Sequence, residues 1–256
     1  MAERAPKETR PRLLSAPGRD GRSAVYEWNI LCDFDGTIAV DDVTDALLTR
    51  FARPEWEAIE ARWRAGEIGS RECMTAQIGL IDASLEDVDA LLDTLPIDPA
   101  FPAFVAEARR RRMPVQVVSD GLDYAIRRIL ARHGINDLPI RANRLLHDGA
   151  RGWSLTSPHA RAECSSASGT CKCAIASDHA RVLMIGDGQS DFCVAAEADF
   201  VFAKHKLITH CRRAGIDHQP IVDFRDALAY LDELPEMARE RVAFLSEPLP
   251  LRVQTA

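Results

Sequence analysis

The sequence predicts an α/β protein: a parallel sheet layered between helices, with a helical segment inserted after the first strand. Three observations predict it. Apolar runs at Ile30–Cys32, Val115–Val118, Val182–Ile185 and Phe200–Phe202 are short and almost free of polar residues, as strands buried on both faces are. Amphipathic helical stretches alternate with them, which implies parallel pairing with helices on both faces. Each of the first three runs breaks off into a polar motif: Asp33-Phe34-Asp35-Gly36-Thr37, Ser119-Asp120-Gly121, and Gly186-Asp187-Gly188-Gln189-Ser190-Asp191.

Taken in order, residues 1–27 are polar and rich in Arg, Pro and Gly, without an apolar signal core, and are expected to be a disordered leader. The first strand follows. From 42 to 99 the pattern is helical. Val43, Ala46, Leu47 and Phe51 recur at helical spacing, and Pro54 suits the first turn of a second helix carrying Trp56, Ile59 and Trp63. Ser70 is expected to cap a third helix carrying Cys73, Met74, Gln77 and Ile81, and Ser84 to Asp87 has the spacing of a capping box before Val88 and Leu92. About sixty helical residues after an acidic strand end exceed a minimal crossover and are read as a cap inserted into a core of 28–41 and 100–235.

A helix over Phe101–Arg112 ends in four arginines that complement its dipole. A strand to Val118 and a helix over Tyr124–His133 come next. Two extended segments, Ile140–Leu145 and Trp153–Leu155, are joined by the turn Asp148-Gly149. A Ser- and Cys-rich stretch, Cys164–Cys173, leads to a short helix and the last two strands. Residues 236–256 are expected to be a C-terminal tail.

Composition narrows the function. The 256 residues carry a net charge of -7 and no basic block besides the four arginines, which argues against a nucleic-acid partner. No apolar run approaches a membrane span, so no membrane partner is expected and a cytoplasmic location is the expectation. Seven cysteines without a secretion signal argue against a disulfide framework. Cys164, Cys171 and Cys173 cluster, but their spacing fits no standard zinc site. Small thiols packing beside Lys172 are the favoured reading, with His159 and His179 the nearest other zinc donors.

The three strand-terminal motifs converge at one rim of such a sheet, where α/β proteins bind ligands. Alone, Asp33-x-Asp35 would read as a surface turn; the convergence makes it a site. Asp33 and Asp35 leave the strand on one face, an arrangement that is costly unless a cation sits between them or one carries a proton. Asp33 suits a nucleophile forming an aspartyl-phosphate, and Asp35 a general acid and base. Asp33, Asp35, Asp187 and Asp191 are hard oxygen donors on the metal side and favour Mg²⁺. Gly36 lets the chain turn and offer N–H groups to an anion, while Ser119 and the N–H of Gly121 suit phosphate oxygens. Lys172, one of four lysines beside twenty-eight arginines, is the expected cation for the transferring phosphoryl group.

These residues, Asp33 to Thr37, Ser119 to Gly121, Lys172, and Gly186 to Gly188 with Asp191, resemble the four motifs of the haloacid dehalogenase superfamily over about Ile30 to Leu231. The helical cap resembles its phosphoserine-phosphatase-like subgroup. The resemblance implies a three-layer, Rossmann-like core and a Mg²⁺-dependent phosphomonoester hydrolase. It implies a small phosphorylated metabolite as substrate, of the sugar-derived kind met in methionine salvage. It assigns Asp33 as nucleophile, Asp35 as acid/base, Ser119 and Lys172 as phosphate ligands, and Asp187 and Asp191 as metal-side carboxylates, with Asp191 alternatively orienting Lys172. Phosphoserine phosphatase, a phosphotransferase of the same fold and a catalytically idle binding protein are the alternatives. Against phosphoserine, Gln77 stands where those enzymes place a carboxylate-gripping arginine, and Asp42 where they place an amine-binding glutamate.

Overall fold

A computed structural model describes residues 28–179 and 181–234; the expected leader and tail lie outside them. Seven strands form one sheet in the order β4-β3-β2-β1-β5-β6-β7. These are β1 (Asn29–Cys32), β2 (Val115–Leu122), β3 (Ile140–Asp148), β4 (Gly152–Thr156), β5 (Val182–Gly186), β6 (Phe200–Ala203) and β7 (His218–Pro220). All neighbours pair in parallel except β3 and β4, which form an antiparallel hairpin at one edge.

The period-2 alternation of each strand feeds two separate apolar layers. Ile30, Cys32, Leu183, Ile185, Phe200 and Phe202 point to one face. There they meet α5 (Phe101–Arg110), α6 (Asp123–Arg132) and α10 (Phe224–Tyr230). Leu31, Val182, Met184 and Val201 point to the other, against α7 (Lys172–Ser177), α8 (Phe192–Ala195) and α9 (His205–Ala214). The expected three layers are present, and β1, flanked by β2 and β5, is fully enclosed. Its motif therefore emerges at the middle of the sheet's carboxyl edge, beside those of β2 and β5.

Between β1 and α5 lie α1 (Val43–Phe51), α2 (Trp56–Arg64), α3 (Ser70–Ile78) and α4 (Leu85–Leu92). Their apolar faces, among them Leu47, Leu48, Ile78, Val88 and Leu92, join the same buried cluster as Ile30 and Val117. The capping box of α4 forms as expected: the Asp87 amide donates to Ser84 Oγ and the Ser84 amide to Asp87. Three local expectations are corrected. Pro54 lies in the turn before α2. Ser70 is the first residue of α3, not its cap, because Gly69 holds the extended conformation of the cap. Ile81 lies past the end of α3 and bridges Ala52. The arginines ending α5 are used structurally: Arg110 and Arg111 pair with Glu107, and Arg111 also with Asp232. No helix among the described residues is long and apolar enough to cross a membrane.

Candidate active site

The chain leaves β1 with the Asp33 amide still donating to Ile185 O of β5 at 2.9 Å, then curls so that the amides of Thr37, Ile38 and Ala39 all donate to Phe34 O. Gly36 makes that curl possible, with φ +70° and Asp187 only 2.7 Å from where a Cβ would stand. Asp33 and Asp187 are thus brought together by sheet register and one glycine.

Lys172 is the hinge of the site. It opens α7 and is buried, with Nζ 2.8 Å from Asp33 Oδ1 and 2.6 Å from Asp191 Oδ1. Ligand atoms of Asp33, Asp187 and Asp191 lie within 4.8 Å of one another. The electrostatics follow from one ammonium facing three carboxylates. Burial, and then Asp191, push the Asp33 carboxyl well above its usual range, against the pull of Lys172. Burial and Asp191 likewise raise Asp187. Burial pulls the Lys172 ammonium down, but Asp191 and Asp33 outweigh it and raise it, so the lysine stays charged. The excess negative charge, carried by hard oxygen atoms, fits a divalent cation of the Mg²⁺ type.

The carboxylates are not equivalent. Asp191 spends Oδ1 on Lys172 and Oδ2 on the amides of Asp187 and Gly188 at 3.0 and 3.2 Å. Asp187 meets Thr37 Oγ1 at 3.3 Å. At Asp33, the hydrogen bonds from Lys172 and the Phe34 amide fall on Oδ1, leaving Oδ2 without a protein donor among the described residues. Asp35 does not join the three clustered acids. It turns toward the helices, where Oδ1 accepts from the Val43 amide at 2.8 Å and Oδ2 lies 2.4 Å from where a Cβ on Gly121 would be. Burial, and then Asp42, push its carboxyl up to about 8.

Ser119 does not cap a helix. β2 runs through the motif to Leu122 with a register shift, and buried Ser119 Oγ accepts from the Gly121 amide at 2.9 Å. Ser119, Gly121, Gly36, Asp33, Asp35, Lys172, Asp187 and Asp191 all stand at this one rim.

Sequence reasoning passed over the residue between Ser119 and Gly121. Asp120 accepts from Ser70 Oγ of α3 at 2.7 Å, from the Thr170 amide at 2.9 Å and from Asn143 Nδ2 at 3.2 Å. Asn143, buried on β3, also donates to Asp120 O at 2.6 Å and accepts from Ser157. The signal was there in the alternation: a residue between two site-facing neighbours on a strand faces elsewhere. Lys204 was likewise unassigned. It is buried after β6 and donates to Thr37 O at 3.1 Å, holding the Asp33 loop. Gln77 is buried with Nε2 on Glu60 at 3.0 Å, and Asp42 caps α1.

Residues 30–196 match the family of haloacid dehalogenase-like hydrolases. The chain belongs to that family. It is therefore an enzyme of the hydrolase class. Among its relatives is the 2-hydroxy-3-keto-5-methylthiopentenyl-1-phosphate phosphatase of Geobacillus thermodenitrificans, 32% identical over 220 residues, covering 82% of this chain and 97% of the relative. The protein of the same name from Brevibacillus brevis is 30% identical, covering 81% and 96%. A phosphoserine phosphatase solved as a phospho-aspartyl intermediate analogue shares the fold with a TM-score of 0.61 at 20% identity, covering 80% of this chain and 98% of that one. A probable phosphoserine phosphatase from Vibrio cholerae gives 0.64 at 17%, covering 84% and 67%.

Proposed function

We propose that this hydrolase is a Mg²⁺-dependent, cytoplasmic phosphomonoesterase acting on a small phosphorylated metabolite through an aspartyl-phosphate on Asp33. The observation that carries it is the Asp33 carboxylate, tethered through Oδ1 by buried Lys172, with Oδ2 without a protein donor among the described residues. Asp33 attacks phosphorus in line with the leaving oxygen, and Asp35 gives that oxygen its proton. Asp35 then takes a proton from the water that releases phosphate from Asp33, help typically worth about 10²–10⁴-fold. The Ser119 hydroxyl, the amides of Gly36 and Gly121 and the Lys172 ammonium hold the phosphoryl oxygens. Asp33 and Asp187, with Asp191 beside them, would hold Mg²⁺, which would screen the repulsion between nucleophile and phosphate. Asp191, committed to Lys172 through one oxygen and to two amides through the other, chiefly positions the lysine.

In this reading residues 42–99 are the cap over a core of 28–41 and 100–235. The substrate best supported is the sugar-derived 1-phosphate that the relatives' names give, because they match nearly from end to end. Gln77 agrees with that choice: it is buried and engaged by Glu60, so it offers no bidentate clamp for a serine carboxylate.

The test is phosphate release from an aryl phosphate, then from a panel holding the thiopentenyl phosphate and phosphoserine. Activity abolished by EDTA, restored by Mg²⁺ and lost in a folded Asp33→Asn variant is expected. Full turnover by Asp33→Asn removes the nucleophile from its role, and a preference for phosphoserine overturns the substrate.

A further inference from the structure

Lys204 is a poor residue for its place. It follows β6 and stands at the cap position of α9, where the first helical amides need an oxygen acceptor that a lysine side chain does not have. A cation at this position also opposes the helix dipole. The side chain is buried all the same. Among the described residues Nζ makes one hydrogen bond, to Thr37 O at 3.1 Å, and meets no carboxylate. Taking an ammonium out of water without a paired anion is unfavourable. The next residue adds to this, since His205 takes a left-handed φ of +41°, uncommon for a residue with a Cβ. Local stability therefore explains neither residue.

What Lys204 does is join two loops. Its amide donates to Gly186 O at 2.8 Å, and with the chain turned at His205 the Leu207 amide donates to Asp187 O at 2.9 Å. The backbone around Lys204 thus grips the loop after β5. The ammonium grips the loop after β1 at Thr37 O. Thr37 completes the connection, its Oγ1 donating to Asp187 Oδ1 at 3.3 Å. Asp33 and Asp187 are carried by these two loops. Carboxylates of like charge push their loops apart when no cation lies between them, so a fixed link is needed to keep them together.

We propose that Lys204 is a positioning residue for the metal site: it ties the loop carrying Asp33 to the loop carrying Asp187, so that the two carboxylates stand ready for a divalent cation. Groups that orient metal ligands from outside the ligand set are typically worth about 10–100-fold in metal affinity. The metal rests on the proposed function; the link between the loops does not. Two roles for Lys204 differ in sign. If it acted only through its charge, removing it would favour a dication; if it acts as a link, removing it disfavours one.

Calorimetric titration of the metal-free, full-length protein with MgCl₂ tests this, beside thermal melting. Lys204→Met is expected to fold and to bind Mg²⁺ more weakly than the wild type by about 10-fold or more. Its turnover of an aryl phosphate should need correspondingly more Mg²⁺, while kcat at saturating Mg²⁺ stays within a few-fold of wild type. Loss of stability alone does not produce that split. Thr37→Val keeps the carbonyl that Lys204 holds and removes the hydroxyl on Asp187. It should weaken Mg²⁺ binding too, and the double variant should be little worse than the weaker single one. Unchanged or tighter Mg²⁺ binding by folded Lys204→Met overturns the proposal. If that variant does not fold, unchanged binding by Thr37→Val overturns it instead. A wild-type protein that takes up no Mg²⁺ refutes the metal of the proposed function, and Lys204 loses its role with it.

Discussion

Gly121→Ala is the sharpest probe of where Asp35 works. The new methyl carbon would stand 2.4 Å from Asp35 Oδ2, where ordinary contact begins near 3.4 Å, so the carboxylate must retreat by 3.4 − 2.4, about 1 Å. Ser119 Oγ, at 3.0 Å, would give by a few tenths. The backbone at Gly121 is not among the positive-φ positions, so alanine adds no conformational strain and the methyl group is the whole perturbation. The atom it strikes is the end of a side chain, so the fold should survive with a stability change under about 1 kcal/mol. Catalysis should not survive as well, because a displacement of about 1 Å costs about 10²-fold, bounded by the 10²–10⁴-fold of losing an acid–base group. Steady-state hydrolysis of an aryl phosphate with Mg²⁺, beside calorimetric melting, reads both quantities. Asp35→Asn and the double variant complete the cycle: if both act through the same carboxylate, the double should be little worse than Asp35→Asn. Wild-type kcat in Gly121→Ala, or fully additive losses, would refute the assignment of Asp35.

Other expectations follow from the same geometry. Lys172→Met should lower kcat/KM by at least about 10²-fold, since it removes a buried charge from the phosphoryl site, and phosphate should bind more weakly by calorimetry; unaltered phosphate affinity would contradict the role. Without metal, Asp35 has a folded value of about 8 against an ordinary 3.8. The folded protein therefore holds a proton that the unfolded chain has released across that window, so stability falls as pH rises through it, by up to about 1.4 kcal/mol per pH unit for one group. Asp33 and Asp187 are raised as well and add to the slope. Because a metal binds the deprotonated carboxylates, Mg²⁺ should raise the melting temperature more near pH 8 than near pH 5; equal increments would refute this. Ser84→Ala should cost about 1 kcal/mol by denaturant titration and leave turnover unchanged, since it breaks only the α4 capping box.

Most of this was legible in the residues because the signals were local. An apolar run that stops at a carboxylate marks both a strand and its exit, so the eight candidate positions reach one rim once parallel order is inferred. The capping box of α4 was equally readable, as four adjacent residues suffice to specify it. What failed depended on partners distant in sequence. Ser70 carries a good capping hydroxyl, but Asp120 on β2 takes it and Gly69 becomes the cap. Grouping Asp35 with the metal-side acids treated two carboxylates on one strand face as sharing one fate. The chain curls at Gly36 directly after them, and Asp35 is claimed by the Val43 amide.

The web around Asp120 explains how a lysine remote in sequence is held 2.8 Å from Asp33. The Lys172 segment has only a six-residue helix of its own, and Gly169 approaches Asn143 so closely that a Cβ would lie 2.1 Å from its amide oxygen. Precision must come from outside the segment. It comes from a chain of buried and half-buried groups: Ser157 donates to Asn143, Asn143 donates to Asp120, and the Thr170 amide, two residues before Lys172, donates to Asp120. Asp120 also receives a hydrogen bond from Ser70 of α3, so α3 and the segment leading to Lys172 meet at one carboxylate. A buried network of this kind is rigid only while every member is paired. Placement of Lys172 and seating of α3 are therefore coupled through Asp120, and a change at Ser70, remote in sequence, bears on Lys172 through two hydrogen bonds.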